Sequence, residues 1–425
     1  MFKLHEHGTN VRTELLAGLT TYMTMVYIAF VNPAILAETG MDKGAVFVAT
    51  CLAAAFGSAL MGLYANFPIA LAPGMGLNAY FTYSVVKGMG VPWEAALAAV
   101  FASGALFLII SITPLRRWII DSISKSQKLA ISVGIGFFLA VIGLQSAGII
   151  AADPVTMVQL GDVKSPGVAI ATAAFILIAA LDARRFPGAI LIGIIFAYIA
   201  ALILGLAPIS AIASAPPSIA PVFLKLDFPA LLDLAMLPVV LTFLFVVLFD
   251  NTGTLLGVAR AAGLTQPDGT VPRLERAFVV DSTSTMAGAA LGTSTTTSYI
   301  ESAAGANAGG RTGLVSVTVA LLFLVTLIFA PLAGSIPAFA TAPALIFVGC
   351  LMMTGIKDID FDDPTEYVPA AVTIISMPLT FSIADGIAFG LIAYTGVKLL
   401  AGRWADISLA VLLLAAMFVL RFALL

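Results

Sequence analysis

The sequence predicts an all-α polytopic membrane protein of fourteen transmembrane segments, arranged as two seven-segment repeats of opposite orientation. Three observations carry that prediction. Hydrophobic residues make up 60% of the 425 residues and charged ones only 10%, against roughly 45–50% and 25% in soluble domains. So few charges could not cover a water-facing surface. Apolar runs of about 17–25 residues, the length that crosses a bilayer, recur along the whole chain. The basic residues then fall on one side of the resulting threading, as the positive-inside rule requires.

In order, the first seven segments lie near residues 14–36, 46–65, 69–86, 93–113, 127–147, 167–182 and 187–206. The N-terminal stretch lacks the charged, apolar and cleavable parts of a signal peptide in order, so the first segment reads as a retained span. A Pro-rich connection, APPSIAPVFLKLDFPALLD, follows. The second set lies near 234–262, 275–291, 293–306, 312–331, 342–356, 366–381 and 383–400, with 405–425 an extra apolar segment. With the N-terminus cytoplasmic, fifteen basic residues fall inside: Lys3, Arg12, Arg116, Arg117, Lys125, Lys128, Arg184, Arg185, Arg260, Arg273, Arg276, Arg311, Lys357, Lys398 and Arg403. Only Lys43, Lys87, Lys164 and Lys225 fall outside, and losing one middle segment would scramble this separation. Seven is odd, so the second set must run through the membrane in the opposite sense to the first. A faint internal echo agrees: GSALMGLYANFPIALAPGMGLNAYF and STMAGAALGTSTTTSYIESAAG each place a small-residue helix before a Gly/Ser/Thr-rich interruption. Such matched interruptions point to a transporter's binding site.

The third segment breaks at LAPGMGLNAY (Leu71–Tyr80). Pro73, Gly74 and Gly76 disfavour continuous helix. An extended stretch there frees backbone N–H and C=O groups, which membrane depth permits only against protein or a cavity. Asn78 adds an amide that donates and accepts. GMGLNA also matches a dinucleotide fingerprint, but without a βαβ context that reading fails. The competing reading is that the glycines only bring helices together. In the tenth segment, Gly292–Ser298 (GTSTTTS) offers hydroxyls to a ligand or to its own backbone. Among these, Thr297 and Ser298 join Gly76, Leu77 and Asn78 as candidate substrate contacts.

Two carboxylates lie at membrane depth. Glu301 falls at the start of the helix after the interruption, where free N–H groups favour negative charge. Its alternative role is a structural partner for Arg311. Asp250 and Thr254 stand four apart in FDNTGTLLG and share a helix face, Asn251 points elsewhere, and Gly253 thins the helix for a neighbour or ligand. Asp250 could carry a proton, anchor a network or accept a ligand N–H. A charge there costs on the order of 3 kcal/mol unless paired, hydrated or protonated, so both acids mark a pathway. Asp121, Asp153, Asp162, Asp182, Asp227 and Asp233 fall at segment ends or loops. The stretch Lys357–Tyr367 reads as a cytoplasmic connector and Gly309–Leu314 as a tight turn.

Several classes drop out. No basic patch suggests nucleic acid. His5 and His7 are the only histidines, and Cys51 and Cys350 make no metal-spaced or redox pair, so neither a metal site nor a cofactor is expected. A membrane-embedded enzyme would also lack a convincing nucleophile–base pair.

APGMGLNAYF, LFDNTGTLLGVA and GTSTTTSYIESAAGANAGGRTGL together resemble the signatures of the azaguanine-type purine permeases, the hypoxanthine–guanine–adenine branch of the nucleobase–cation symporters. The resemblance runs from ELLAGLTTYMTMVYIAFVNPAIL to the last core segments. It implies a core domain (14–113 and 234–331) that carries substrate against a gate domain (127–206 and 342–400), with short strands facing each other in segments 3 and 10. It also implies proton-coupled uptake of purine nucleobases at the cell membrane, with Asp250 and Glu301 in proton coupling and a homodimer compatible with the family. Where the related uracil–xanthine branch often has a histidine, this chain has Thr254. The alternative function on the same architecture is anion transport, since facing helix N-termini suit an anion. Two nearby acids oppose it.

Overall fold

The computed structural model describes residues 2–113, 122–208, 211–266 and 270–424. Arg116, Arg117 and Asp121 lie outside the described residues. Among the described residues, nine helices are long and apolar enough to cross a membrane: Val11–Ala37, Lys43–Ala65, Trp93–Ser111, Lys125–Ser146, Pro166–Ala183, Met236–Ala261, Gly313–Ser335, Ala338–Asp358 and Ile383–Leu400. The chain is a multi-pass membrane protein. The remaining expected segments are shorter, more polar or broken. Ala189–Ile203 has 15 residues, Pro364–Thr380 carries two internal prolines, and Leu274–Leu291 is rich in Ser and Thr. Segments 3 and 10 each contain a three-residue strand.

The chain divides into two compact units, Met1–Ile112 with Gly143–Phe347, and Thr113–Ile142 with Val348–Leu425. In the first, Asn10 caps Val11–Met25 by accepting from the Thr13 N–H (3.0 Å). A single 3₁₀-type turn at Val26–Tyr27 then leads into Ile28–Ala37. Asp42 caps Lys43–Leu60 in the same way, and a wide π-helical turn at Met61–Ala65 ends that segment at Asn66. Strand β1 (Leu71–Pro73) follows, then the short helix Met75–Ala79 and a π-helical run, Tyr80–Gly88. Two further strands, β2 (Ile150–Asp153) and β3 (Met157–Leu160), pair as an exposed hairpin. The Asp250 helix (Met236–Ala261) and the helix Leu274–Leu291 precede β4 (Thr296–Ser298) and the six-residue helix Ser302–Asn307. Helix Leu274–Leu291 stops at Gly292, whose φ is +93° and whose missing side chain leaves room for Val222. Any Cβ there would meet Val222 at 2.4 Å.

The second unit is organised by polar contacts at helix ends. Pro364–Thr380 and Ile383–Leu400 form an antiparallel pair turned at Phe381, whose φ is +52°. Lys398, 1% exposed, is paired with Glu366 at 2.8 Å, and Glu366 also accepts from the Ser124 hydroxyl (2.7 Å). Burial of a lysine is tolerated only with such a partner. At the loop end, a hydrogen bond from Arg403 holds the Asp363 carboxyl down at about 2. The extra C-terminal segment is the helix Leu409–Leu424, with Phe422 stacked on Phe389 at 5.0 Å. Its 16 residues extend about 24 Å, short of the roughly 30 Å hydrocarbon core.

Candidate functional site

Strands β1 and β4 come from distant parts of the chain and pair antiparallel, with Leu71 opposite Ser298, Ala72 opposite Thr297 and Pro73 opposite Thr296. The ladder continues through Gly74 N–H to Thr295 O (2.8 Å) and Tyr299 N–H to Ala70 O (3.0 Å). Local chemistry explains why helix gives way here. Pro73 has no N–H to offer a helix, and Thr296 and Thr297 are β-branched and favour an extended backbone. All six strand residues are buried.

Side chains satisfy the backbone groups that two short strands leave over. The Ser58 hydroxyl accepts from Leu71 N–H (2.9 Å) and donates to Leu71 O (3.1 Å). Thr285 donates to Thr296 O (3.0 Å), Ala70 N–H donates to the Ser302 hydroxyl (3.0 Å), and the Tyr299 hydroxyl donates to Pro73 O. Asn32 donates to Thr50 (2.7 Å) and Thr293 (2.8 Å), tying the first two segments to the approach to β4. Gly74 sits so close to β4 that a Cβ would lie 2.9 Å from Thr297 Oγ1.

Asn78 follows β1 on the helix Met75–Ala79, beside half-buried Gly76 and buried Leu77. It is fully buried, and its Oδ1 accepts from the Ser294 hydroxyl. Its Nδ2 has no partner among the described residues. A buried donor left unpaired is costly, so this amide is poised for a further acceptor. Thr297 and Ser298 lie in β4 itself and are buried.

Glu301 stands at the first residue before the helix Ser302–Asn307, as the sequence places it, but its side chain makes no capping bond. Its Oε1 instead accepts from the hydroxyl of buried Tyr27 at 3.0 Å. Arg311 is not its partner; its guanidinium donates to Ala306 O and Gly310 O. The backbone N–H groups of Arg311 and Thr312 are taken by buried Glu14, at 2.8 and 3.2 Å.

On the Asp250 helix, Asp250 is half-buried and Thr254 is buried one turn later. Asn251 is fully buried, with neither amide atom partnered among the described residues. The expectation of a packed protein neighbour at Gly253 needs correction. Gly253 meets no packed neighbour; a Cβ there would find open space.

The sequence reading missed a third carboxylate. Asp281, on Leu274–Leu291, is wholly buried, and its Oδ1 accepts from the Ser298 hydroxyl at 2.8 Å. Its Oδ2 is unpartnered among the described residues. Asp250 interacts electrostatically with both Asp281 and Glu301. The ion pairs among the described residues lie elsewhere, on Lys3, Lys87, Lys398 and Arg403. The signal for Asp281 was the one that found Asp250, a lone acid amid apolar and hydroxyl side chains (VVDSTST) in a membrane segment.

A strand pair carrying an unsatisfied amide, with three carboxylates and several hydroxyls around it, is suited to binding a neutral polar solute. The Permease family model (Xan_ur_permease) matches residues 12–389. The chain belongs to this permease family. That membership bears out the resemblance read from the sequence motifs, and it makes the chain a transporter rather than an enzyme. Adenine permease AdeP of Escherichia coli is similar at 46% identity, covering 99% of this chain and 95% of that protein. Guanine/hypoxanthine permease PbuO of Bacillus subtilis is similar at 42% identity, covering 99% of each. The transmembrane domain of a cyanobacterium bicarbonate transporter, BicA, has the same fold, with a TM-score of 0.65 at 17% identity over 89% of this chain and 97% of that one.

Proposed function

We propose that this permease imports purine nucleobases with a proton across the cell membrane. The observation that carries the reading is the Asn78 amide, buried beside the β1–β4 ladder with its Nδ2 unpartnered among the described residues. A purine is a flat ring edged by N–H donors and ring-nitrogen or carbonyl acceptors. Asn78 Nδ2 would meet an acceptor, and the carboxylates of Glu301 and Asp250 would accept from ring N–H groups. Gly76, Leu77, Thr254, Thr297 and Ser298 complete the proposed contacts. The similar adenine permease AdeP and guanine/hypoxanthine permease PbuO support purine bases as the substrate class without choosing within it.

Three neighbouring acids repel one another in a low-dielectric setting. A proton taken up with a neutral purine relieves that repulsion and lowers the penalty of carrying the loaded site past a barrier. Asp250 is the proposed coupling acid, with Glu301 beside it. The proposal includes fourteen spans in two inverted repeats, a cytoplasmic N-terminus, and alternating access by a core domain (14–113 and 234–331) moving against a gate domain (127–206 and 342–400). A homodimer is compatible with it. The fold shared with a bicarbonate transporter favours anion transport as the second reading, but a cluster of acids with no paired cation among the described residues disfavours an anion.

Uptake of radiolabelled hypoxanthine into proteoliposomes, competed by nucleobases, nucleosides, sulfate and bicarbonate, tests the choice. Competition by purine bases alone is expected. Competition by the oxyanions and not by purines would transfer the site to the second reading.

A further inference from the structure

The β2–β3 hairpin has a side-chain pattern that the transport reading does not use. Its register places Ile150 opposite Leu160, Ala151 opposite Gln159, Ala152 opposite Val158 and Asp153 opposite Met157. Facing residues of an antiparallel pair share a side of the sheet, and sides alternate along each strand. One face therefore carries Ile150, Ala152, Val158 and Leu160, all apolar. The other carries Ala151, Asp153, Met157 and Gln159. On the apolar face Leu160 is 70% exposed and Val158 46%, and Val155 at the tip is 87% exposed.

The hairpin is preformed. Asp153 Oδ1 accepts from the N–H groups of Val155 and Thr156, both at 2.8 Å, and from the Thr156 hydroxyl at 3.1 Å. Those bonds hold the Asp153 carboxyl below its ordinary range. At the neck, Gly161 N–H donates to Ile149 O (2.8 Å), and Ile149 packs against buried Ala147, Ala171 and Ala342. An isolated two-stranded hairpin is marginal in water, so one with a largely exposed apolar face calls for a covering surface.

We propose that this face lies in the interfacial zone of the membrane, with Val155, Val158 and Leu160 among lipid headgroups and upper acyl chains. Continuity is the first argument. The hairpin starts four residues after Lys125–Ser146 and ends six residues before Pro166–Ala183, so both of its ends are tied to helices long and apolar enough to cross a bilayer. Area is the second. Four side chains and a tip cannot supply the roughly 800 Å² per partner of a stable protein interface, whereas a membrane surface needs no minimum patch. The apolar face enters the lipid, and the face with Asp153 and Gln159 turns to water.

The test uses the full chain in lipid nanodiscs with Cys350→Ser, because Cys350 is exposed while Cys51 is buried. A nitroxide is attached at Leu160→Cys or, separately, at Gln159→Cys. Its collisions with oxygen, which concentrates in the bilayer, are compared with those of a water-soluble nickel chelate. Oxygen should dominate at position 160 and nickel at position 159. Val158→Cys, on the same face as Leu160, should repeat the position-160 result and stands in if that variant misfolds. Nickel dominance at 158 and 160 would show a hairpin standing in water. Low collision with both reagents there would show cover by protein, a second copy or another chain. Either result overturns the proposal.

Discussion

Among the described residues, two two-stranded ladders of nearly equal size live in opposite surroundings. β1–β4 joins residues more than two hundred positions apart, all buried. β2–β3 joins neighbours across a three-residue turn and is largely exposed. The local ladder takes its spare hydrogen bonds from its own turn through Asp153. The buried ladder depends on side chains from other segments, namely Ser58, Thr285, Ser302 and Asp281. Membrane depth offers no water to make up a missing partner. A strand pair can persist there only inside such a scaffold, and the same scaffold surrounds Asn78 and the acids proposed to meet the solute. The difference teaches that ladder chemistry is cheap at a surface and demanding at depth, where it coincides with function.

Changes around the buried ladder should therefore be far more damaging than changes in the exposed one. The largest expected effect is at Glu301. Glu301→Gln keeps the shape and loses the charge, removing a charge-assisted bond of about 1.5–3 kcal/mol. Uptake should vanish and purine affinity should fall by one to two decades, measured by binding to purified protein that inserts normally. Unchanged affinity would remove Glu301 from the site.

Next comes the support of β4. Asp281→Ala strands the Ser298 hydroxyl at membrane depth and should reduce uptake by at least tenfold, in line with about 1.5–3 kcal/mol for a bond to a charged group. Because the two side chains act through one bond, adding Ser298→Ala should cause little further loss in a double-mutant cycle. Fully additive losses would show that Asp281 does not work through β4.

Asn78→Ala removes the free donor. Affinity should drop by about 1–3 kcal/mol and the order of preference among adenine, guanine and hypoxanthine should change. If every purine kept its rank and affinity in competition assays, Asn78 would be a packing residue. The smallest effect belongs to the other ladder. Asp153→Ala unties the hairpin turn but should leave uptake within twofold, as surface changes usually stay within about 0.5 kcal/mol. A tenfold loss there would erase the contrast between the two sheets.

Much of this site was legible in the sequence, and particular residues show why. Pro73, Gly74 and Gly76 announce a broken helix by local chemistry alone, and GTSTTTS does so by composition; both breaks are strands. Asp250 and Glu301 stand out because an acid in an apolar run is costly unless it is paired, hydrated or protonated. Asp281 carries the same signal but is diluted by the Ser and Thr residues that follow it, so its helix reads as merely polar. The Tyr27–Glu301 bond could not be read at all, since it joins residues 274 positions apart that only the tertiary fold brings together. The hairpin had a readable mark, Asp153–Pro154 between two short apolar runs, masked by the expectation of a plain loop between two spans.

The account's central claim is that this acid cluster couples a proton to purine movement, and Asp250→Asn in proteoliposomes tests it most directly. The substitution imitates a permanently protonated Asp250. The variant should still exchange internal for external radiolabelled hypoxanthine, yet fail to accumulate it under an imposed pH gradient, while the unmodified protein accumulates hypoxanthine and acidifies the vesicle interior as it enters. Accumulation driven by the pH gradient in Asp250→Asn, equal to that of the unmodified protein, would contradict the claim.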